Sequence, residues 1–408
     1  MTRYSSYCTA VVLSFVSFLF RSIDCSSISS CMPEENRNRW FLGELFVGGF
    51  TNQQFGILGM VPVAQLLNSS LIVGPISTRK SFAHTWDQFS GGIHDWIPFS
   101  YFYDWTHFST YWSERNLAVV EKHTVRECLL GLNFSIIHRK EFFRRTDRQI
   151  LKYVRDSNIT VPIPSNYTML TIQGSCNLIS LYDNWQSQKH LELLHQVDSS
   201  LKPNATLARL IDGITSQLGP SYIAVHLRVE ADKIGYKPVG SGQTIAEDKE
   251  YNDRIYTILE TILSHECFKQ YRNNTAAAPT VYLASGVFHA SFRQAKGGFM
   301  SKRAYHSLDL FKQQGYNVFT QFNLTGDLFN ITQSVSPEQL AYVEQEVSRR
   351  SACFVYDTSG SSFSYMVLRL QQMDRKTRLN QTLTYRDAHL VSAFPNIKGL
   401  EIFTHWGF

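Results

Sequence analysis

Short apolar runs that alternate with helix-like segments restrict the fold of this chain more than any other feature. In the first half, the apolar pair Phe46-Val47 precedes a glycine-containing loop, a helix-like pattern and the apolar run 70–73. The second half repeats this alternation, with apolar runs at 222–227, 281–285, 316–319 and 353–356. A strand that reaches the next strand through a helix pairs with it in parallel. The pattern therefore predicts an α/β protein with parallel sheets.

The length of 408 residues indicates two domains, because one domain commonly holds about 100–200 residues. We place the boundary near residue 215, where Gly219-Pro220 precedes the second set of strands. This divides the folded part into domains 39–215 and 216–408. Hydrophobic residues make up 43% of the chain, which is enough for a core. The net charge of +5 comes without a dense Lys/Arg run, which argues against a nucleic-acid partner.

The N-terminal segment 1–24 has the pattern of a targeting sequence. Arg3 and Arg21 flank an apolar run from Tyr7 to Phe20. This run is shorter than the roughly 17–25 residues of a membrane span and resembles the core of a signal peptide. Either a signal peptide or a short type II anchor fits, and such an anchor would be the one contact with a membrane. The Ser-rich segment 25–38 follows as a predicted stem.

Many N-glycosylation sequons support a secretory route. Nine Asn residues stand in N-x-S/T without an intervening Pro: Asn68, Asn133, Asn158, Asn166, Asn204, Asn273, Asn323, Asn330 and Asn380. Together with the N-terminal segment, they predict a protein of the secretory lumen, in the endoplasmic reticulum or the Golgi.

The chain has seven cysteines, and Cys8 lies in the targeting segment. The other six allow up to three disulfides, with several possible pairings. No C-x-x-C pair occurs, so neither a zinc site nor a thioredoxin-like motif is predicted. Cys353 stands in the apolar run Cys353–Tyr356, and we expect it to be a buried free thiol.

Three other local predictions concern secondary structure. Residues 84–115 are rich in aromatic residues without a clear period, which suggests an irregular insertion near the ligand cleft. Pro62 would kink the first helix or mark a late start. Ser336-Pro337-Glu338-Gln339 has the pattern of a capped helix start.

Polar groups at three predicted strand ends are candidate ligand contacts, because ligands of open α/β sheets bind beyond these ends. They lie in His226-Leu227-Arg228, in Ser359–Ser364 and in Gly48–Gln53. An Arg can hold two oxygens of a diphosphate, and a helix start can bind an anion. Each segment also has an ordinary structural explanation. Arg228 could form a surface salt bridge to Glu230 or Asp232, Ser359–Ser364 could be a helix N-cap, and Gly48–Gln53 could be a tight turn.

Several catalytic motifs are missing from the sequence. It contains no D-x-D pair, which is the metal clamp of many sugar-nucleotide transferases, and no H-E-x-x-H, G-x-S-x-G or Walker loop. We therefore expect no metal. The charge of a leaving diphosphate would be stabilised by Arg and by helix dipoles.

The order and spacing of these segments resemble the GDP-fucose protein O-fucosyltransferase superfamily. Gly49-Phe50-Thr51-Asn52-Gln53 resembles its G-x-F-x-N-Q loop, and 64–71 resembles its A-x-L-L-N-x-x-L helix end. His226-Leu227-Arg228, followed by Glu230, resembles the H-L-R-x-E signature, and Ser361-Ser362-Phe363-Ser364 resembles the late S-S-F-T. The resemblance extends over about residues 40–375.

The resemblance implies a metal-independent, inverting enzyme of GT-B type, with two Rossmann-like domains whose parallel sheets face each other across a cleft. The acceptor side would be 39–215 and the nucleotide-sugar side 216–408. The donor substrate would be GDP-fucose, and the acceptor a hydroxyl of a glycoprotein or glycan, such as a protein Ser or Thr. The implied catalytic residues are Arg228 and Asn52. The implied donor contacts are His226, Arg228, Ser361, Ser362, Phe363, Gly49 and Phe50.

The sequence departs from the family pattern at two places. Gly286-Val287 stands where members often carry an acidic residue that reads guanine, so UDP-rhamnose is an alternative donor. Gly48 and Gly49 stand where some members carry a catalytic Glu, and Glu44 is predicted to lie in the preceding strand. The departure at Gly286-Val287 leaves open a luminal glycan- or peptide-binding protein that has lost catalysis, whereas Gly48 and Gly49 resemble members without that Glu base.

Overall fold

The computed structural model describes residues 40–43, 50–66, 68–79, 94–124, 134–138, 169–173, 188–227, 259–260, 262–264, 268–269, 280–285, 308–356 and 362–379. These residues form two parallel sheets, an antiparallel ribbon and the helices that cover them. The predicted targeting segment 1–24 and stem 25–38 lie outside the described residues.

The first sheet holds five parallel strands in the order β5-β2-β1-β7-β6. The strands are β1 (Trp40–Gly43), β2 (Ser70–Val73), β5 (Val119–Glu121), β6 (Phe134–His138) and β7 (Met169–Gln173). The ribbon pairs β3 (Ile76–Arg79) with β4 (His94–Ile97). The connection between β1 and β2 through a helix was predicted, but β1 ends at Gly43, and the predicted strand residues Phe46 and Val47 lie outside the described residues.

The second sheet holds four parallel strands in the order β10-β9-β8-β11. They are β8 (Tyr222–His226), β9 (Thr280–Ala284), β10 (Asn317–Phe319) and β11 (Cys353–Tyr356). All four coincide with predicted strands to within one residue at each end. The two parallel sheets confirm the predicted α/β fold class of GT-B type.

In the part of the chain that the structure describes, the sheets are accompanied by helices α1 (Phe50–Leu66), α2 (Trp105–Ser113), α3 (Gln188–Ser200), α4 (Ala205–Leu218), α5 (Gly326–Ser334), α6 (Pro337–Arg349) and α7 (Ser362–Arg378). Residues 308–313 are also helical. The predicted domain boundary near residue 215 falls inside α4, and the division into domains stays a prediction.

The capped start of α6 is confirmed. Ser336 Oγ accepts a hydrogen bond from the backbone N–H of Gln339 at 3.2 Å, and Gln339 Oε1 accepts one from the Ser336 N–H at 2.8 Å. Pro337 occupies the first helical position, where the missing N–H has no cost. This start is specified locally, so the sequence alone sufficed to predict it.

A single hydrophobic core joins the two halves of the chain. Side chains alternate along a strand, so Tyr222 and Ala224 of β8 face this shared core, which also contains Phe41 of β1 and Phe50 of α1. The intervening residues of β8 face a second core with the apolar residues of β9 and of 308–313. The second sheet is thus covered on both faces, as parallel sheets require.

The first helix differs from its prediction. It begins at Phe50 and continues through Pro62 without a late start. Phe50 to Gln53, which we expected in a loop, form its first turn. Side chains around the whole circumference of α1 are buried, so packing outweighs the cost of a Pro inside the helix.

The prediction of an irregular segment at 84–115 is wrong for its described part. Residues 94–115 hold β4, a 3-10 turn at Phe99–Tyr101 and α2. Their aromatic side chains contact one another inside the core, for example Phe99 and Phe108 at 4.9 Å between ring centroids. A cluster of large rings from several short elements has no single period, so the sequence pattern looked irregular.

The expectation of a free thiol at Cys353 is also wrong. Cys353 is half-buried on the edge strand β11 and is disulfide-bonded. An apolar run predicts burial of a Cys, but it does not predict which other sulfur lies beside it.

Among the described residues, no helix is both long and apolar enough to span a membrane.

Candidate active site

The imidazole of His226 lies at the carboxyl end of β8, beside the start of α7. Its Nδ1 is 2.8 Å from Ser364 Oγ, and its ring stacks on Phe363 with centroids 4.5 Å apart and planes inclined by 30°. His226 is 8% exposed. Residues two apart on a strand point to the same face of the sheet, so His226 shares the face of Tyr222 and Ala224. This is the face on which α7 packs. Two motifs distant in sequence therefore meet at one place.

Sheet topology explains this meeting. Strands β8 and β11 are parallel neighbours, and Tyr356 is in register with His226. Both strands therefore end at the same edge of the sheet, and only residues 357–361 separate β11 from α7. Burial raises the pKa of Tyr356 to about 12, so its phenol is neutral at physiological pH. The edge next to His226 therefore gains no negative charge from Tyr356.

The start of α7 points toward this edge. Its first turn holds the two contacts of His226, and its last turn holds Arg375, Lys376 and Arg378. Basic residues at the end of a helix complement its dipole, and the opposite end attracts anions through its unpaired N–H groups. The arrangement can therefore bind a phosphate beside His226.

The start of α1 packs against helices of the second half. Phe50 stacks on Phe102 with centroids 5.2 Å apart and contacts Tyr342 of α6 at the same distance. One turn later, Phe55 contacts Tyr365 of α7 at 5.8 Å. Tyr365 lies next to Ser364, so the first turns of α1 lie near the His226 site.

A buried ion pair holds α7 against α3. Arg369 Nη1 donates to Asp198 Oδ1 at 3.1 Å, and Arg369 Nη2 donates to Asp198 Oδ2. The two side chains are 3% and 8% exposed. A planar guanidinium that bonds both carboxylate oxygens restricts the rotation of α7 about its axis. This contact lies about one and a half helical turns after the His226 site and fixes the orientation of the helix start.

Ser285 is a further polar group at this edge. It follows Ala284, which is in register with His226, and the backbone N–H of Leu227 donates to the Ala284 carbonyl at 3.0 Å. Within the described part of the chain, Ser285 Oγ has no hydrogen-bond partner although it is buried. No cluster of His, Cys, Asp or Glu that could hold a metal occurs among the residues that the structure describes.

The GDP-fucose protein O-fucosyltransferase family model matches residues 45–374. This match covers most of the chain and includes α1, β8 and the start of α7. The chain belongs to this family. The resemblance noted in the sequence is thereby confirmed, since the matched region contains each segment on which it was based.

Solved fucosyltransferases share overall similarity with this O-fucosyltransferase family member. POFUT1 in complex with GDP-fucose is 15% identical over 83% of this chain and 95% of its own, with a TM-score of 0.46. The NodZ α-1,6-fucosyltransferase co-crystallised with GDP is 12% identical over 82% and 93%, with a TM-score of 0.46. NodZ from Bradyrhizobium is 13% identical over 82% and 94%, with a TM-score of 0.45. No curated protein sequence matches the chain.

Among the site residues predicted for this O-fucosyltransferase family member, His226 and Phe363 are in contact. Phe50 is the first residue of α1, and its ring lies in the core. Asn52 and Ser362 lie in the first turns of α1 and α7, and their side chains are not described. Outside the described residues lie Gly49, Arg228, Ser361, Gly286, Val287 and Glu44. Their predicted roles stay predictions.

Sequence reasoning assigned no role to two residues of this edge. Ser364 stood in the quoted Ser361–Ser364 motif, yet only the contact with His226 reveals its part. The alternation of β8 could have indicated which face His226 occupies. Ser285 showed no distinguishing pattern, because the burial of its hydroxyl depends on the neighbouring strands.

Proposed function

We propose that this protein is an inverting glycosyltransferase that moves fucose from GDP-fucose to an acceptor hydroxyl, such as a Ser or Thr of a protein. The observation that carries the proposal is the contact of His226 with Phe363 and Ser364. It joins the H-L-R strand end to the start of α7, in a chain that belongs to the family. Arg228 follows His226 by two residues in the sequence, and its place at the donor site is part of the proposal.

In this proposal, the diphosphate of the donor lies between Arg228 and the start of α7. The acceptor oxygen attacks the anomeric carbon from the face opposite the leaving group. The bond from this carbon to the β-phosphate oxygen breaks, and GDP leaves with the electron pair. Arg228 and the N–H groups of the helix start stabilise the charge that develops on the leaving oxygen. The acceptor proton passes to the leaving phosphate or to water, and no side chain is assigned as general base.

Other features support the proposed donor site. The His226 ring stacked on Phe363 offers a rigid, largely buried wall beside the helix start. The sequence has no D-x-D pair, so we assign charge stabilisation to Arg228 and to the helix dipole, not to a metal. Asn52, near the start of α1, is proposed to contact the acceptor and the sugar.

We also propose that the protein resides in the secretory lumen, in the endoplasmic reticulum or the Golgi. The sequons and the N-terminal segment support this location. The disulfide at Cys353 adds support, because disulfides persist mainly in oxidising compartments.

Calorimetry with GDP, UDP, GDP-fucose and UDP-rhamnose tests the proposed function on the chain from residue 38 onward. We expect binding of GDP and GDP-fucose, no binding of the UDP compounds, and release of GDP when an acceptor is present. Preference for UDP-rhamnose would overturn the donor assignment while keeping the reaction class. Failure to bind any of the four would favour the glycan- or peptide-binding alternative.

A further inference from the structure

The side chain of Asn204, which begins one of the sequons, forms hydrogen bonds that stabilise the fold. Asn204 caps α4, with its Oδ1 accepting from the backbone N–H of Leu207 at 2.9 Å. Its Nδ2 donates to the carbonyls of Ser100 at 3.2 Å and of Tyr101 at 2.5 Å. Both amide hydrogens are therefore bonded to the turn before α2. An N-linked glycan replaces one of these hydrogens by carbon, so glycosylation would leave the Oδ1 cap in place but would break one of the two hydrogen bonds from Nδ2 to this turn.

The side chain of Asn330, which begins another sequon, has no such structural role within the described residues. Asn330 lies on α5, is exposed, and makes no hydrogen bond through its side chain within the described residues. Thr332 completes the sequon. Because a helix directs Asn330 into solvent, a glycan at this position would require no change in the fold.

An aromatic ring next to Asn330 gives a second, independent reason. Phe329 is 46% exposed, one of three large apolar side chains exposed to this degree in the described part of the chain. Leaving this ring in water is unfavourable. The C–H face of a sugar ring is apolar, so a saccharide on the adjacent residue can cover Phe329.

We propose that Asn330 carries an N-linked oligosaccharide that covers Phe329, and that the Asn204 sequon stays unmodified. In the transfer, Asn330 Nδ2 attacks the anomeric carbon of the first N-acetylglucosamine of a lipid-linked oligosaccharide diphosphate. The N–C bond forms, the C–O bond to phosphate breaks, the lipid diphosphate leaves with the electron pair, and the amide loses one proton to a base. The proposal rests on the proposed luminal location and not on the fucosyl transfer.

Peptide mapping of the full chain, expressed in and purified from a eukaryotic host, tests both parts. Enzymatic deglycosylation in heavy-oxygen water converts each occupied Asn to labelled Asp. We expect a labelled Asn330 peptide and an unlabelled Asn204 peptide. An unlabelled Asn330 peptide, or a labelled Asn204 peptide from monodisperse protein, would overturn the inference. Absence of label at every sequon would overturn the luminal location as well, whereas GDP-fucose binding by the same sample tests the donor assignment separately.

Two variants test the structural reasons. Asn330→Gln should migrate faster by one glycan and aggregate more readily, and the added Phe329→Ser should suppress that aggregation. Asn204→Gln should migrate unchanged but melt a few degrees lower, because the cap is lost. Faster migration of Asn204→Gln, or equal aggregation with and without Phe329→Ser, would contradict the assignments. The peptide map needs no variant and decides occupancy even if a substituted chain fails to fold.

Discussion

The rings of His226 and Phe363 stack with centroids 4.5 Å apart, which places the end of β8 against the first turn of α7. Ser364 Oγ lies 2.8 Å from Nδ1 of the same imidazole. The ring is thus held on one face by an aromatic side chain and at one nitrogen by a hydroxyl. In the proposed donor site, such restraint would fix the geometry of the imidazole before the nucleotide binds.

Ser364→Ala removes the hydroxyl partner of His226 Nδ1. We expect GDP affinity to fall about 5–10-fold, which corresponds to the loss of one hydrogen bond of about 1–1.4 kcal/mol. Ser364→Thr keeps the hydroxyl and should retain more of the affinity. Calorimetry with GDP measures both. Ser334→Ala is the control, since Ser334 is exposed on α5 and its hydroxyl donates to the Ile331 carbonyl of its own helix.

Arg228→Ala removes the proposed contact with the leaving diphosphate. The loss of transition-state stabilisation should be about 3 kcal/mol or more, so kcat/KM should fall at least ~100-fold. Arg228→Lys should recover only part, because an ammonium lacks the planar fork. The control is Arg209→Ala, which breaks an exposed ion pair to Asp327. Turnover like that of the unsubstituted enzyme would refute the role of Arg228.

Asp198→Asn leaves the buried guanidinium of Arg369 without its carboxylate. We expect the free energy of unfolding to fall by about 3–5 kcal/mol, measured by chemical denaturation. Asp327→Asn, in the exposed pair with Arg209, should cost less than about 1 kcal/mol. Similar decreases in the free energy of unfolding of the two variants would show that burial does not determine how strongly these ion pairs stabilise the fold.

Cys353→Ser removes the disulfide on β11. Stability should fall by about 2–4 kcal/mol, because the unfolded chain loses a constraint. Unfolding of the unsubstituted protein in reductant should show at least the same decrease, and reductant should lower the stability of the variant less than that of the unsubstituted protein. An equal effect of reductant on the two proteins would contradict a stabilising role of the Cys353 disulfide.

Alkaline pH should destabilise the fold through three buried tyrosines. Burial raises the pKa of Tyr103, Tyr282 and Tyr342 well above 10, and Glu346 adds to this for Tyr103 and Tyr342. Above about pH 10 the unfolded chain loses these protons while the folded chain keeps them. Stability is therefore fully present below this pH and falls by about 1.4 kcal/mol per pH unit for each tyrosine.

Tyr342→Phe removes one of these buried phenols, so the loss of stability with rising pH should be smaller by about 1.4 kcal/mol per pH unit above about pH 10. Thermal unfolding between pH 8 and 11 measures this slope. At neutral pH it should be nearly neutral for stability, because its buried hydroxyl has no hydrogen-bond partner among the described residues. Tyr101→Phe, at a side chain that is 59% exposed, is the matched control. An unchanged slope in Tyr342→Phe would contradict the assigned titration.

Local sequence features predicted the elements of the second sheet well. Strand β11 and the capped start of α6 were predicted to the residue or nearly so, because short-range contacts specify them. The start of α1 and residues 94–115 were not, because their conformation depends on rings that pack across the core, such as Phe50 on Phe102. Periodicity along the chain contains no information about such contacts.

The sequence by itself determined the α/β class, the family and the two motifs that meet at the candidate site, because strand alternation, helix caps and ordered short motifs are properties of neighbouring residues. Only the tertiary structure decided that His226 meets Ser364 and that Arg369 is paired with Asp198. It also decided that the Asn204 amide is used by the fold while Asn330 is exposed. These outcomes depend on which distant segments share a sheet edge or a helix face, and packing of the whole chain sets that.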